Sequence, residues 1–263
     1  MKRIHISSFS FLFLISTSIH LSAQSKNQES LYLKLNPFEY LMGKYNANQG
    51  LIPIQLEENQ KDHFLRPEVK SALLKMIDAF EDSKPASYKQ EIFLVSSFRN
   101  FNQQKQIWES KFTGKKAMRV PIKDKTPAEI IALILEFSSA PGTSRHHWGT
   151  DFDLNALDNG YFEGNGRGKI LYDWLQKNAH LYGFCQPYNE LAKRGGKGYQ
   201  EEKWHWSYAP IAQNLQAAWL KAYSEKKISI SGSFLGSEEL GDKSVEFVRS
   251  INSDCDKIAK QFN

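Results

Sequence analysis

The 263-residue chain has little cysteine, little surplus charge and no apolar run of bilayer-spanning length. Two cysteines, Cys185 and Cys255, are too few for a disulfide framework or a cysteine-rich zinc site. The longest apolar run lies close to the N-terminus and falls short of the roughly 20 residues a membrane helix needs, which excludes a polytopic membrane protein. Lys+Arg at 34 against Asp+Glu at 29 leaves a net charge of +5. That excess is too thin for the dense phosphate contacts of a nucleic-acid binder, so no nucleic-acid partner is expected. Repeats and low-complexity linkers are also missing. What is present is an ordinary globular balance, 41% hydrophobic and 24% charged, with a mean hydropathy of −0.52. It excludes wholesale disorder and a coiled-coil rod.

Lys2 and Arg3, an apolar run over 9–15 and small residues at Ser22 and Ala23 make the layout of a secretory signal peptide cleaved near Ala23. The small-residue rule is half met, since Leu21 stands three before the cut. The expected product is exported, periplasmic or attached to the cell envelope, with no stable membrane span once the leader is removed. Residues 24–90 read as a helical lead-in packed on a catalytic domain, with a helix opened by Pro67 and carrying Val69, Leu73, Met76, Ile77 and Phe80 at helical spacing. A short strand is expected over 91–96 and a helix over 102–112. Thr126-Pro127-Ala128-Glu129 has the capping-box layout and opens an apolar helix over 130–137. Further strands are expected at Asp151–Leu154 and 204–208, and helices at 169–181, 210–224 and 238–261. The last helix carries an apolar packing stripe at Val248, Ile251, Cys255, Ile258 and Phe262. Short strands among helices, without regular βαβ alternation, indicate one α+β domain with its core over 91–224 and a helical extension over 225–263.

Two clusters carry chemistry: residues 141–155, with His146, His147, Asp151 and Asp153, and residues 202–208, with Glu202 and His205. Imidazoles and carboxylates on aromatic, desolvating segments are the inventory of a mixed zinc site. Seven residues separate His146 from Asp153, about 23 Å if extended at ~3.3 Å per residue, so the chain must reverse near Gly149. Beyond that turn, alternation puts Asp151 and Asp153 on one face of a strand and Phe152 and Leu154 on the core face. Glu202 and His205 are three apart and need a bend or bulge near Lys203 to meet one ion. His146, Asp153 and His205 as ligands with Glu202 as base would complete a catalytic zinc site. Taken singly, each segment also reads as plain structure: a histidine packed beside tryptophan, a strand edge, an amphipathic strand.

The order Ser144-x-His146-x-x-Gly149-x-Asp151-x-Asp153, then Glu202-x-Trp204-His205-x-x-Tyr208, resembles the signature of the VanY-type D-alanyl-D-alanine carboxypeptidases, members of the LAS zinc peptidases. Ser96-Ser97-Phe98-Arg99 followed by Gln104 resembles a third family segment, and the resemblance spans about 91–208. It implies a single domain with a small, mainly antiparallel sheet flanked by helices, of the hedgehog/DD-peptidase kind. It also implies one Zn2+ per chain on His146, Asp153 and His205, with Glu202 as general base and Arg99 holding substrate and stabilising the scissile carbonyl. Ser144, Gln104, Trp204 and Tyr208 become substrate-binding positions. The implied activity is a monomeric, exported D,D-carboxypeptidase that removes the terminal D-Ala of peptidoglycan stem peptides by zinc-activated water. An L,D-carboxypeptidase or endopeptidase of the same family, and a non-catalytic wall-binding module, are the alternatives. Three positions depart from the pattern. Asp151 replaces a small residue and is either an outer partner of a ligand histidine or a competitor for the metal. Phe98 stands for Tyr, and Ser207 for a long polar residue, both bearing on specificity. His63, His147 and His180 are expected to be structural.

Overall fold

A computed structural model describes residues 36–57 and 61–262; the expected signal peptide lies outside the described residues. The described residues open with a short helix α1 (Pro37–Leu41), a two-stranded ribbon of β1 (Ile52–Ile54) and β2 (His63–Leu65), and the long helix α2 (Pro67–Ser83). The expected helical lead-in therefore contains a ribbon as well, because Ile54, His63 and Leu65 alternate inward at a period of two. The site-bearing sheet follows in pieces: β3 (Leu94–Ser96), β4 (Asp151–Leu154), β5 (Phe184–Cys185) and β6 (His205–Tyr208), in the order β3-β4-β6-β5 and antiparallel throughout. Between strands run α3 (Phe101–Phe112), α4 (Pro127–Leu135) and α5 (Arg167–Asn178). After β6 come α6 (Ala209–Ser224), α7 (Ser237–Leu240), α8 (Lys243–Arg249) and α9 (Asp254–Phe262). The small antiparallel sheet among helices is the α+β architecture expected.

Local sequence explains the element ends. Thr126 and Glu129 form the expected capping box on α4, and Asn100 with Gln103 forms another on α3. Such a cap contributes about 1 kcal/mol each. The helix expected over 238–261 is instead three short ones. Gly241, at φ 52°, ends α7, and Asn252 separates α8 from α9. The Asn252 backbone N–H donates to Pro187 and its side-chain amide to Gln186, so this stretch is tied to the loop after β5 rather than wound into helix. Val248, Cys255 and Ile258 of the expected stripe are buried, whereas Phe262 is 45% exposed.

The sheet separates two apolar clusters. One face carries Leu94, Phe152, Leu154, Phe184 and Trp206 against Val69, Leu73, Met76 and Phe80 of α2 and Leu171 and Leu175 of α5. Burying each such side chain contributes about 1.5–3 kcal/mol. A second cluster gathers Trp108, Ile131, Ile134, Trp148 and Trp219 from α3, α4, α6 and the turn before β4. Polar residues 151, 153, 205 and 207 occupy the alternate positions of β4 and β6, opposite the first core.

Cys185 and Cys255, left unassigned by sequence, form a disulfide that joins β5 to α9 across 70 residues. Closing a loop of that size restricts the unfolded chain. Replacing both cysteines by serine should lower the unfolding free energy by about 2–4 kcal/mol, seen as a reduced urea midpoint. An unchanged midpoint would show that helix packing alone secures the C-terminal segment.

Candidate metal centre

Residues Arg145–Trp148 form a single 3₁₀ turn that ends on left-handed Gly149 at φ 66°. A Cβ at Gly149 would lie 2.6 Å from Leu51 Cδ2, so glycine is required by both backbone and space. The turn reverses the chain between His146 and Asp153, as the spacing demands. Three bonds from the N-terminal segment hold it: the Tyr45 hydroxyl donates to the His147 carbonyl at 2.6 Å, the Tyr40 hydroxyl to Trp148 at 3.1 Å, and Trp148 Nε1 to Leu41 at 3.0 Å. Register does the rest, pairing Asp153 with His205 and Asp151 with Ser207. Glu202 reaches the same place through a turn at Lys203 and Trp204, closed by the His205 N–H donating to the Glu202 carbonyl at 3.3 Å. The required bend is that turn, just ahead of the strand.

Hydrogen bonding fixes both imidazole tautomers. His146 Nδ1 lies 2.7 Å from the Ser97 carbonyl oxygen, which can only accept, so Nδ1 carries the proton and Nε2 a lone pair. His205 Nε2 lies 2.9 Å from Asp151 Oδ2, which leaves the lone pair on Nδ1. Those two lone pairs converge on Asp153 Oδ1, at 3.5 Å from His146 Nε2 and 3.1 Å from His205 Nδ1. Oδ1 is buried and has no hydrogen-bond donor. Three electron-rich atoms within 4.8 Å repel one another unless a cation, a proton on His205 or a metal ion, sits among them. Two nitrogens and a carboxylate oxygen suit zinc. The residues therefore fit a metal ion.

The surrounding charges are arranged for this. Burial, then the nearby Arg99, lowers the pKa of His146, which keeps the imidazole neutral. Burial also works against a charged His205, but bonds to Asp151, Asp153 and Glu202 outweigh it and raise its pKa well above the ordinary value. A proton and a metal ion would thus compete for Nδ1. Glu202 lies 3.4 Å from His205 Nδ1, and burial raises its pKa. Arg99 Nη1 sits 3.7 Å from Asp153 Oδ2, its Nε donates to Gln104 Oε1 at 2.9 Å, and Gln104 in turn donates to the Ser139 carbonyl at 2.8 Å. These groups line a cleft of about 370 Å³ with Trp204, Tyr188 and Phe137 among its walls.

A family model described as VanY, D-alanyl-D-alanine carboxypeptidase, matches residues 62–211, more than half of the chain. The chain belongs to the VanY family. A D-alanyl-D-alanine carboxypeptidase of Enterococcus faecalis (strain ATCC 700802 / V583) is 30% identical over 119 residues, which cover 45% of this chain and 40% of that protein. The aligned stretch thus spans about two fifths of that relative's length. Among solved structures, VanYB in complex with D-alanine-D-alanine is 24% identical, with a TM-score of 0.44 over 73% of this chain and 93% of that one. A VanY D,D-pentapeptidase mutant in complex with Zn(II) is also 24% identical, with a TM-score of 0.44 over 73% and 95%.

In this VanY-family chain, the fold brings together His146, Asp153, His205, Glu202, Arg99, Gln104 and Trp204. Two expected substrate-binding residues are elsewhere. Tyr208 is three after His205 on β6, so strand alternation turns it to the opposite face, against Phe184 and Gly183. Ser144 is buried at the head of the 3₁₀ turn, its hydroxyl unpartnered, and does not line the cleft. Asp151 stands as an outer partner of His205 and outside the His146–Asp153–His205 group. It accepts from His205 Nε2, from Arg145 Nε at 3.0 Å, from Ser207 Oγ at 2.9 Å and from Thr150 Oγ1 at 2.6 Å. Burial opposes its charge, but Arg145 and His205 prevail and hold the carboxyl well below the usual carboxylate range. Ser207 is consumed by this network, also accepting from Arg145 Nη2 at 2.7 Å.

Sequence reasoning missed Arg145 and the Ser97 carbonyl. A buried arginine has no spacing signal, and a backbone acceptor has no residue identity at all. His147, expected as background, binds the Arg99 carbonyl through Nδ1 at 2.6 Å and accepts from the Gly142 N–H at 3.0 Å through Nε2. It so fixes the backbone of Arg99. His63 lies 3.1 Å from Ser97 Oγ.

Since Asp151 orients His205, Asp151→Asn should weaken metal binding about 10–100-fold. Competition against a chromophoric chelator measures this, and an unaltered affinity would remove Asp151 from the metal's support.

Proposed function

We propose that this VanY-family chain is an exported, zinc-dependent D,D-carboxypeptidase that releases the terminal D-Ala of peptidoglycan stem peptides. The observation that carries the reading is Glu202. It is a buried carboxylate beside the His146–Asp153–His205 cluster that the cluster does not need as a ligand. When bound, zinc supplies a Lewis acid that acidifies water and polarises a carbonyl. Glu202 accepts the proton of the attacking water and passes it to the departing amine. Its raised pKa lets it hold that proton between the two steps. Arg99, fixed by Gln104 and by His147 at its backbone, aims a fork of donors at the peptide's carbonyl or carboxylate. Trp204 and Phe137, with ring centroids 6.2 Å apart, make an apolar wall that limits water beside the reacting bond.

Export is supported by the signal-peptide layout and by the Cys185–Cys255 disulfide, a bond that persists in oxidising compartments. No helix among the described residues is long and apolar enough to cross a membrane.

A defined stem pentapeptide, analysed by mass spectrometry, should lose one D-Ala. Glu202→Ala should slow that release about 10²- to 10⁴-fold with zinc still bound. Cuts inside the stem would replace this reading with an endopeptidase, and equal rates in both proteins would remove Glu202 as the base.

A further inference from the structure

Two lysines in the cleft wall lack an ion-pair partner among the described residues. α3 turns Gln104, Ile107 and Lys111 to the cleft, the spacing of three and four that keeps them on one helix face. After α3 the chain folds back, the Lys116 N–H donating to the Ser110 carbonyl at 2.8 Å, and Lys116 joins the same wall. Lys111 Nζ donates to Ser138 Oγ. Among the described residues, neither lysine has a carboxylate within ion-pair distance. Their neighbour Arg119 differs, lying 3.9 Å from Asp158 and stacked over the Phe137 ring at 4.2 Å. The acids on the cleft are Asp153 and Glu202, which serve the metal centre, and Glu136, which pairs with neither lysine. Burial, and next the charge of Lys116, draws the Lys111 ammonium down to about 8 against the opposing pull of Glu202. A partly desolvated Lys111 ammonium, with the exposed Lys116 charge on the same wall, gains when an anion lies with them.

We propose that Lys111 and Lys116 form an anion subsite that takes a carboxylate carried by the peptide two or three residues before the scissile bond. The position follows from the helix. Lys111 starts about 10 Å along α3 from Gln104, the residue that holds Arg99, at ~1.5 Å per residue. An extended peptide covers that distance in about three residues at ~3.3 Å each. The substrate's terminal carboxylate lies only one residue beyond the cut and falls short of it. This inference rests on the carboxypeptidase reading and narrows its substrate to acidic peptides.

The test uses two peptides identical except for a carboxylate or a carboxamide at that position. Both end at the residue before the cut, so neither is hydrolysed, and each is titrated calorimetrically into the zinc-loaded protein. The wild type should bind the acid at least tenfold more tightly. Lys116→Met should narrow the gap, the double change Lys111→Met with Lys116→Met should close it, and Lys111→Arg should preserve it. A preference that survives the double change, or that the wild type lacks, overturns the subsite. Hydrolysis of the acid peptide extended by D-Ala separates the two claims. Cleavage without a lysine-dependent preference removes the subsite alone, and a lysine-dependent preference without cleavage removes the peptidase reading alone.

Discussion

The pairing of β4 with β6 is the constraint on which the rest depends. Antiparallel register sets Asp153 beside His205 and Asp151 beside Ser207, while Phe152 and Trp206, one residue over, are driven into the apolar core. A slip by a single residue would drive the carboxylates into the apolar core and turn the aromatics into the cleft. The hydrophobic core thus fixes the chemistry. Burial of Phe152, Leu154 and Trp206 against α2 and α5 decides which face of the sheet can carry charge.

Around that pairing the buried polar groups form two layers. Inside are two imidazole nitrogens and a carboxylate oxygen that converge; outside, Ser97, Asp151, Arg145, Ser207 and Thr150 hold those atoms in place. A buried Asp151 is tolerable only because four donors and the Arg145 charge meet it. The same bonds dictate that His146 offers Nε2 and His205 offers Nδ1. The N-terminal segment belongs to this support, since Tyr40, Leu41 and Tyr45 clamp the 3₁₀ turn from outside the stretch that the family model covers.

Much of this was legible in the residues. Gly149, the alternation around Asp151 and Asp153, and the need for a bend before His205 follow from chain geometry, and each has its counterpart in the fold. The capping box at Thr126 was equally readable, because its signal is local. Other features depend on what the chain meets far away. Asn252 breaks the expected long helix because its partners lie on the loop after β5, and Tyr208 faces away because the strand begins at His205 and continues regularly. Asp151 had two readings, an outer partner of a ligand histidine or a competitor for the metal, and the fold gives it the first position. Its network with Arg145 and Ser207 is disclosed only by the three-dimensional pairing.

The central claim is that His146 Nε2, His205 Nδ1 and Asp153 share one metal ion. Anomalous diffraction at the zinc edge, from crystals of the zinc-loaded protein, tests it directly. The account predicts one strong peak per chain, about 2 Å from each of those three atoms. A peak bonded to Asp151, a peak bonded to the opposite nitrogen of either ring, or no peak within the cleft would contradict it.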